Sequence, residues 1–204
     1  EDGATFTTVT FAGVTYNTLI AGEDLSLFLE ITATNILGQP AYLNGWIDYN
    51  GNAVFDDAEK LFSQDIVIPS GTAPGTPIAI PAGVKVLAGA QGLTYAWFRV
   101  STNTAQLQPT GAAGDGEVED YRLLIVQEDF GDAGGPGGSD SYGTARENDG
   151  ARHGVAKDAG GAMIVGLGAT IDGETNVQPS ADASTDDLTG IDDEDGAVFK
   201  TASV

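Results

Sequence analysis

The chain has 204 residues, of which 30 are acidic and eight are basic, so its formal net charge is −22. A surface this acidic repels nucleic acids and anionic membranes, and no run of about 20 apolar residues is present to insert into a bilayer. Apolar residues make up 41% of the chain, which is enough for a core, and there is no cysteine to cross-link it. The carboxylates serve solubility alone, or they neutralise bound cations, and oxygen-only ligand sets favour calcium.

Residues 1–128 have the pattern of short strands joined by turns. Positions 25, 27, 29 and 31 are all Leu or Ile, and this period of two predicts a strand with one face in a core. The other predicted strands are 4–11, 42–48, 61–68, 76–80, 84–88, 93–101 and 118–126. Gly and Pro clusters separate them. Strands of this number and spacing predict an all-β fold, an antiparallel immunoglobulin-like β-sandwich over residues 1–128.

The segment DYNGNAVFDDAE, residues 48–59, has the spacing of a calcium loop. Oxygen donors fall at loop positions 1, 3, 5, 9 and 12, and a main-chain carbonyl is free at position 7. The predicted metal ligands are Asp48, Asn50, Asn52, Val54, Asp56 and Glu59. Position 6 is Ala53, where a helix-flanked loop requires Gly, and the flanks have the pattern of strands. The alternative is an Asx-rich hairpin without metal.

A second acidic group begins the strand in GDGEVEDYRLLIV, residues 114–126. Its predicted metal ligands are Glu117, Glu119 and Asp120. Like charges this close repel unless something neutralises them. Alternation places Glu117 and Glu119 on one face and Asp120 on the other. The neutralising partner is calcium or the pair Arg99 and Arg122, and the alternative is a structural capping role.

Three segments together resemble a known family. NGWIDYNGNAVFDDAE, YAWFRVS and PTGAAGDGEVEDYRLLI are similar to the GEVED domain of large bacterial surface proteins, over about residues 1–128. The following stretch, from DFGDAGGPGGSDSYGT onward, resembles the acidic connector found beside such domains, although the Gly-Pro-Gly insertion departs from it. The resemblance implies an extracellular, repeated, β-rich, calcium-binding module, and it implies no known ligand or catalytic activity.

Residues 129–193 form the predicted connector, a loop-rich, calcium-stabilised acidic segment. Residues 129–195 hold 15 of the 30 acidic residues, spaced apart and often beside Gly, which favours loops wrapped around cations. Only 162–167 has the pattern of a clear strand. The predicted ligands here are Asp129, Asp132, Asp140, Asp149, Asp172, Glu174, Asp182, Asp186, Asp187, Asp192, Asp193 and Asp195. The alternative for each of them is a solvated carboxylate.

The two ends of the chain match. Residues 1–11 are EDGATFTTVTF and residues 194–204 are EDGAVFKTASV, identical at six of eleven positions when aligned without gaps. This predicts a tandem repeat in which 194–204 form the first strand of the next unit, so the chain is expected to be a slice of a longer polypeptide. The alternative is a common turn motif. Partners would then be neighbouring copies of the same repeat, joined head-to-tail.

These features predict a calcium-binding structural repeat unit of an extracellular filament, stalk or giant adhesin at the cell surface. The alternative is a calcium-dependent adhesion module that binds a surface glycan or protein. We do not expect an enzyme, because no nucleophile or positioned acid/base pair is visible. His153, the single histidine, is expected to be structural. Trp46, Trp97, Phe98 and Tyr121 are expected to be core aromatics.

Overall fold

The computed structural model describes residues 2–11, 13–155, 165–169, 171, 173–174, 176–177, 179–181 and 197. These residues form strands and short 3₁₀ turns and no α-helix, which confirms the prediction of an all-β chain. The strands are β1 (Ala4–Phe6), β2 (Thr8–Phe11), β3 (Val14–Ile20), β4 (Leu29–Asn35), β5 (Ala41–Ile47), β6 (Ile66–Ile68), β7 (Thr72–Ile78), β8 (Gly92–Ser101), β9 (Glu117–Val126), β10 (Glu128–Phe130) and β11 (Arg152–Gly154). The turns are Leu25–Leu27, Asp57–Glu59, Thr104–Gln106 and Arg146–Asn148. The chain divides into two compact units, Glu1–Ile125 and Val126–Val204.

The first unit contains two sheets. One has six strands in the order β2-β3-β9-β8-β5-β6, and the other has three in the order β1-β4-β7. The strands β5, β8 and β9 pair antiparallel at the centre of the larger sheet. Both sheets contribute buried side chains to one apolar cluster. In that cluster Phe6 of the smaller sheet lies 6.3 Å from Phe98 and 5.3 Å from Tyr121, measured between ring centroids.

The predicted strand 4–11 is two strands that belong to different sheets. β1 pairs with β4 and β2 pairs with β3. Thr7 lies between them, where its N–H donates to the Phe28 carbonyl and its carbonyl accepts from the Thr18 N–H. The chain therefore crosses from one sheet to the other at a single residue, and its backbone groups stay paired there. A continuous apolar pattern cannot show such a crossing.

The strand predicted from the leucines at 25–31 is correct only from Leu29 onward. Leu25–Leu27 form a 3₁₀ turn, because the Asp24 carboxylate accepts from both the N–H and the hydroxyl of Ser26. Leu27 is consequently 60% exposed. Side chains of this type compete locally with the strand ladder for backbone groups.

Four further differences concern strand extent. β6 covers only the end of the predicted 61–68, and the predicted 84–88 makes a single bridge from Lys85 to Asp24. β7 is longer than predicted and contains Pro74 and Pro77, which it tolerates because it lies at a sheet edge. β3 was not predicted.

The second unit is described mainly through residues 126–155. β10 and β11 pair antiparallel, with Asp129 opposite His153. Phe130, Ala145 and Val177 form a small buried cluster. Of the predicted strand 162–167, residues 165–167 form no strand and 162–164 lie outside the described residues. In the described ranges no helix is long and apolar enough to cross a membrane.

Candidate metal-binding site

The loop 48–59 leaves the end of β5 and is fixed at its start to β8. The Asp48 N–H donates to the Tyr95 carbonyl over 3.1 Å, and the Asp48 carbonyl accepts from the Thr94 hydroxyl. Asp48 is 7% exposed as a result. The first predicted ligand is therefore a buried carboxylate on a rigid support.

The Asp and Asn side chains of the loop point one after another into the loop, where they accept hydrogen bonds from its backbone. Asp48 Oδ1 and Asn50 Oδ1 both accept from the Asn52 N–H, at 3.2 and 2.9 Å. Asp48 Oδ2 accepts from the Ala53 N–H at 2.9 Å, and Asn52 Oδ1 accepts from the Val54 N–H at 2.7 Å. Three predicted ligand side chains thus point their oxygens at the same tightly wound backbone, as alternate positions of a cation loop do.

Glu59 closes the loop from its far end. It lies at the end of the 3₁₀ turn and is 4% exposed. Its Oε1 accepts from the Asn50 N–H at 3.3 Å and its Oε2 accepts from the Asp56 N–H at 3.0 Å. The Glu59 carboxylate therefore links loop position 12 to positions 3 and 9. Position 12 is the place of the closing bidentate ligand in a calcium loop.

Ala53 adopts the left-handed conformation that glycine supplies in calcium loops. Its φ is +63°, and Gly51 has a φ of +67°. A left-handed alanine costs about 1–2 kcal/mol, so the surrounding hydrogen bonds must impose it. The sequence departure at position 6 is accommodated in the backbone, and the winding of the loop is kept.

Apart from Asp48 and Glu59, the predicted ligands of the loop are exposed. Asp56 is exposed, with Oδ2 3.4 Å from Asn52 Nδ2, and Val54 is 56% exposed. Lys60, the nearest cation in sequence, pairs with Asp65 at 3.1 Å. Within the described ranges, no three His, Cys, Asp or Glu side chains converge into a group that would hold a metal. A cation here would draw on the Asn oxygens and the Val54 carbonyl as well as the carboxylates.

Aromatic contacts hold the loop against the sheet. Phe55 packs on Trp97 of β8, with ring centroids 4.8 Å apart. Tyr49 is half-buried at the base of the loop, where burial, together with the negative charge of Glu59, raises the pKa of its hydroxyl to about 12. Trp97 is thus only half-buried and serves the loop, whereas Trp46 and Phe98 are core residues as predicted.

Glu119 is buried and engaged by the start of the chain. Its Oε1 accepts from the N–H groups of Asp2 and Gly3, at 2.9 and 3.0 Å, and its Oε2 accepts from the Tyr121 hydroxyl at 2.8 Å. Although burial opposes ionisation, these hydrogen bonds hold the pKa of Glu119 below its usual value. The capping alternative therefore describes Glu119 well, and its two oxygens are used by donors of this chain.

The basic residues considered as partners of this acidic group have other roles. Arg99 donates to the carbonyls of Gln108, Thr110 and Gly111, and so holds the loop between β8 and β9. The guanidinium of Arg122 lies over the Tyr16 ring at 5.7 Å.

The structure does not bring Glu117, Glu119 and Asp120 together. Glu117 and Asp120 are exposed, and Asp120 lies on the face of β9 opposite to Glu119. The expected alternation is therefore present in β9. Only the inward carboxylate is fixed by surrounding groups.

Two residues ahead of β9 tie it to β8. Asp115 accepts from the hydroxyls of Thr102 and Ser101 and from the Thr102 N–H, and these hydrogen bonds lower its pKa. Gly116 has a φ of +90°, and a Cβ there would lie 1.8 Å from the Val100 carbonyl oxygen. The motif 114–121 is thus a set of structural anchors.

Comparison with known families identifies the segment that contains this loop. Residues 42–124 match the family model of the GEVED domain. Residues 42–124 are the part of the chain that this model identifies as a GEVED domain. The match covers both the loop 48–59 and the anchoring motif. No curated protein and no solved structure matches the chain. In this GEVED domain the name-giving residues 116–120 fix the first strand and the β8–β9 connection.

The acidic residues after the GEVED domain have diverse environments. Asp132 is 2% exposed. Asp140 accepts hydrogen bonds from the Thr144 hydroxyl and N–H and from the Asn148 side chain. Although burial opposes ionisation of Asp140, these hydrogen bonds hold its pKa below the usual value. Asp149 has a φ of +55° and pairs with Arg152 at 3.0 Å.

Two further predicted ligands of this segment lie on or beside β10. Asp129 faces His153 in the strand register, and Glu174 accepts from the Phe130 N–H at 3.1 Å. The predicted ligands outside the described residues are Asp172, Asp182, Asp186, Asp187, Asp192, Asp193 and Asp195.

Sequence reasoning missed Glu128, which is 7% exposed and central to the second unit. Arg146 lies 2.5 Å from its Oε2 and Arg152 lies 3.5 Å from its Oε1. Arg146 also lies over the Phe130 ring at 4.9 Å. The alternation of Glu128 and Phe130 around Asp129 is the signal that could have placed both on the inner face.

Proposed function

We propose that this chain is a calcium-binding structural repeat unit of an extracellular filament, stalk or giant adhesin, without catalytic activity. The observation that carries the proposal is the loop 48–59. Two buried carboxylates, Asp48 and Glu59, lie at its two ends, and the backbone between them is wound with a left-handed residue at position 6. Asp48, Asn50, Asn52, the Val54 carbonyl, Asp56 and Glu59 would hold the ion.

The charge of the loop also favours a cation. Asp48, Asp56, Asp57 and Glu59 lie within twelve residues, while Lys60 is engaged by Asp65. Carboxylates this close in sequence repel unless they are neutralised. A bound divalent ion would relieve that repulsion and add its binding free energy to the stability of the fold. We extend the same proposal to further calcium ions in the acidic segment 129–193.

The architecture supports a modular, repeated unit. Two sheets share one core in the first unit, and we propose that they form an immunoglobulin-like β-sandwich. The matching sequences at 1–11 and 194–204 favour tandem copies joined head-to-tail. Such contacts are heterologous, and contacts that do not close produce filaments. A cysteine-free chain of this charge suits an extracellular, calcium-rich setting.

One observation favours a second candidate, a calcium-dependent carbohydrate- or protein-binding adhesion module. Tyr95 is 54% exposed and lies on the same face of β8 as Trp97, which packs against the loop. An exposed aromatic beside a calcium site is a common sugar platform. In a glycan-binding assay, calcium-dependent binding that is lost in Tyr95→Ala would favour this function.

The loop is tested by titrating calcium while following tryptophan fluorescence. Both tryptophans lie in the first unit, and Trp97 contacts Phe55 of the loop. We expect Asp48→Asn to weaken the calcium-dependent signal by about tenfold or more, because it removes a buried charged ligand. The matched control is Asp57→Asn, an exposed carboxylate of the same loop.

The control variant should bind calcium within about twofold of the unaltered chain. Asp65 is a poor control, since it pairs with Lys60 and accepts from Asn44. If both variants bind with equal affinity, or if the unaltered chain shows no calcium response, the loop is an Asx-rich hairpin that works without metal.

A further inference from the structure

The first strand is held in a site with definite side-chain requirements. Glu119 accepts from two successive backbone N–H groups, and the Ala4 N–H donates to the Tyr121 hydroxyl at 3.0 Å. A Cβ on Gly3 would lie 2.7 Å from Glu119 Oε2. Phe6 is buried at 7% exposure among the aromatic rings of the core. The site therefore selects the sequence Gly-Ala-x-Phe in an extended conformation.

Residues 194–199 are a second copy of this sequence, and they retain the residue types that the site contacts. Identical pairs that the site contacts are Gly3 and Gly196, Ala4 and Ala197, and Phe6 and Phe199. The exposed residues Thr5 and Thr7 are instead replaced by Val198 and Lys200. Over residues 3–7 the contacting positions are kept and the exposed ones change, whereas the exposed Thr8 is also kept, as Thr201. The identity of the contacting positions points to the same kind of site for both copies.

The two copies differ at Ala197, the one residue of the second copy that the structure describes. Ala4 is buried in β1, whereas its counterpart Ala197 is exposed and lies in no strand. The first unit offers one β1 position beside β4, and residues 4–6 fill it. While residues 4–6 occupy this position, a matching site for residues 194–199 would lie on another copy.

The edge of β4 also has room for the residues that precede the motif. β1 covers only Leu29 to Ile31, and Gly3 accepts from the Thr32 N–H at 2.7 Å. On its other side β4 stays paired as far as Asn35. A cavity of about 310 Å³, lined in part by residues 31–34 and Phe98, lies along this edge. A longer added strand can continue into it.

We propose that this edge of β4, with Glu119, Tyr121 and Phe98, is a binding site for an extended Asp-Gly-Ala-x-Phe segment, and that residues 195–199 of a second copy bind there in place of residues 2–6. The inference rests on the head-to-tail part of the proposed function and is independent of calcium. Main-chain hydrogen bonds supply affinity, and the missing Cβ and the buried ring supply specificity.

The test uses a variant of the full chain in which residues 2–6 no longer fit the site. Gly3→Val places a branched side chain against Glu119 and should expel the resident strand, while residues 194–204 remain as donor. We expect this variant to form head-to-tail chains that lengthen with protein concentration in analytical ultracentrifugation. Adding Gly196→Val should return it to a single copy, whereas adding the matched change Val198→Thr should leave the chains unaltered.

A second variant, Phe6→Ala, also weakens binding of the resident strand, and it controls for a local folding defect caused by Gly3→Val. Both variants are called hosts below. A synthetic peptide of residues 191–204 should shorten the chains of either host, and its Phe199→Ala form should require about tenfold more peptide. Each measurement is made in calcium and in EDTA, so a failed calcium site leaves this result interpretable. Association that persists with Gly196→Val, or hosts that stay single and ignore the peptide, would overturn the proposal.

Discussion

Glu119 illustrates how one carboxylate can organise a strand. It accepts two N–H groups and a hydroxyl in a site that is 7% exposed. We expect Glu119→Gln to lower the free energy of unfolding by about 1.5–3 kcal/mol at neutral pH, since hydrogen bonds to a charged group are lost. The control is Glu117→Gln, an exposed carboxylate on the same face of β9.

The contribution of Glu119 should depend on pH in a defined direction. Its pKa in the folded chain is lowered from the ordinary value of 4.5. A lowered pKa adds stability that is present above the ordinary pKa and is lost as pH falls through the folded-state pKa. The unfolding free energies of the unaltered chain and of Glu119→Gln should therefore draw together as the pH falls below 4.5, and they should coincide once Glu119 is protonated in the folded chain. A gap that is constant with pH would contradict this account.

Ala53 should be a site of stored backbone strain. Replacing it with Gly removes the Cβ penalty of a left-handed residue and adds chain entropy to the unfolded state, so we expect a net gain of up to about 1 kcal/mol. Ala58→Gly is the matched control, because Ala58 is an exposed residue of the neighbouring 3₁₀ turn with no positive φ. A loss of stability in both variants, measured by urea unfolding, would argue against strain.

Residue identity alone indicated that the side chains of Asp48, Asn50 and Asn52 turn into the loop 48–59, but it did not indicate the separate environments of the acids at 117–120. The loop is local, so the spacing of Asp48, Asn50 and Asn52 carries most of its geometry. The backbone N–H partners of Glu119 lie 116 and 117 residues away in sequence. Nothing near Glu119 in the chain indicates that its charge is met by backbone N–H groups.

At the scale of elements, the β8–β9 connection depends on one glycine. Gly116→Ala would place a Cβ against the Val100 carbonyl and force a left-handed alanine. We expect a loss of at least about 2 kcal/mol in urea unfolding. Gly114→Ala is the matched control, since its nearest neighbour would be a side-chain atom of Gln106 at 3.9 Å. Equal effects at the two glycines would contradict the close approach.

The central strands of the larger sheet were the easiest elements to predict. β5 is covered on both faces over most of its length, and β8 and β9 contain the apolar runs YAWF and LLIV. The crossing at Thr7 and the 3₁₀ turn at Leu25–Leu27 were not predictable in this way. Both depend on hydrogen bonds with residues whose positions the pattern does not contain.

At the scale of the whole molecule, a net charge of −22 and the absence of disulfides are the dominant facts. Self-repulsion of this size opposes a compact state. In the described part of the chain, the ion pairs of Glu128 and the backbone N–H donors to Glu119 reduce this repulsion locally. The proposed calcium ions would reduce the repulsion among carboxylates in the loop 48–59 and along the acidic segment.

Thermal unfolding in excess calcium and in EDTA tests the central proposal most directly. Tryptophan fluorescence reports on the first unit, because Trp46 and Trp97 are the only tryptophans in the sequence. Saturation far above the dissociation constant adds about 3–4 kcal/mol per site, which should raise the Tm by roughly 5–15 °C. Asp48→Asn should lose most of that difference while Asp57→Asn keeps it. Superimposable curves for the unaltered chain in calcium and in EDTA would contradict a calcium-stabilised domain.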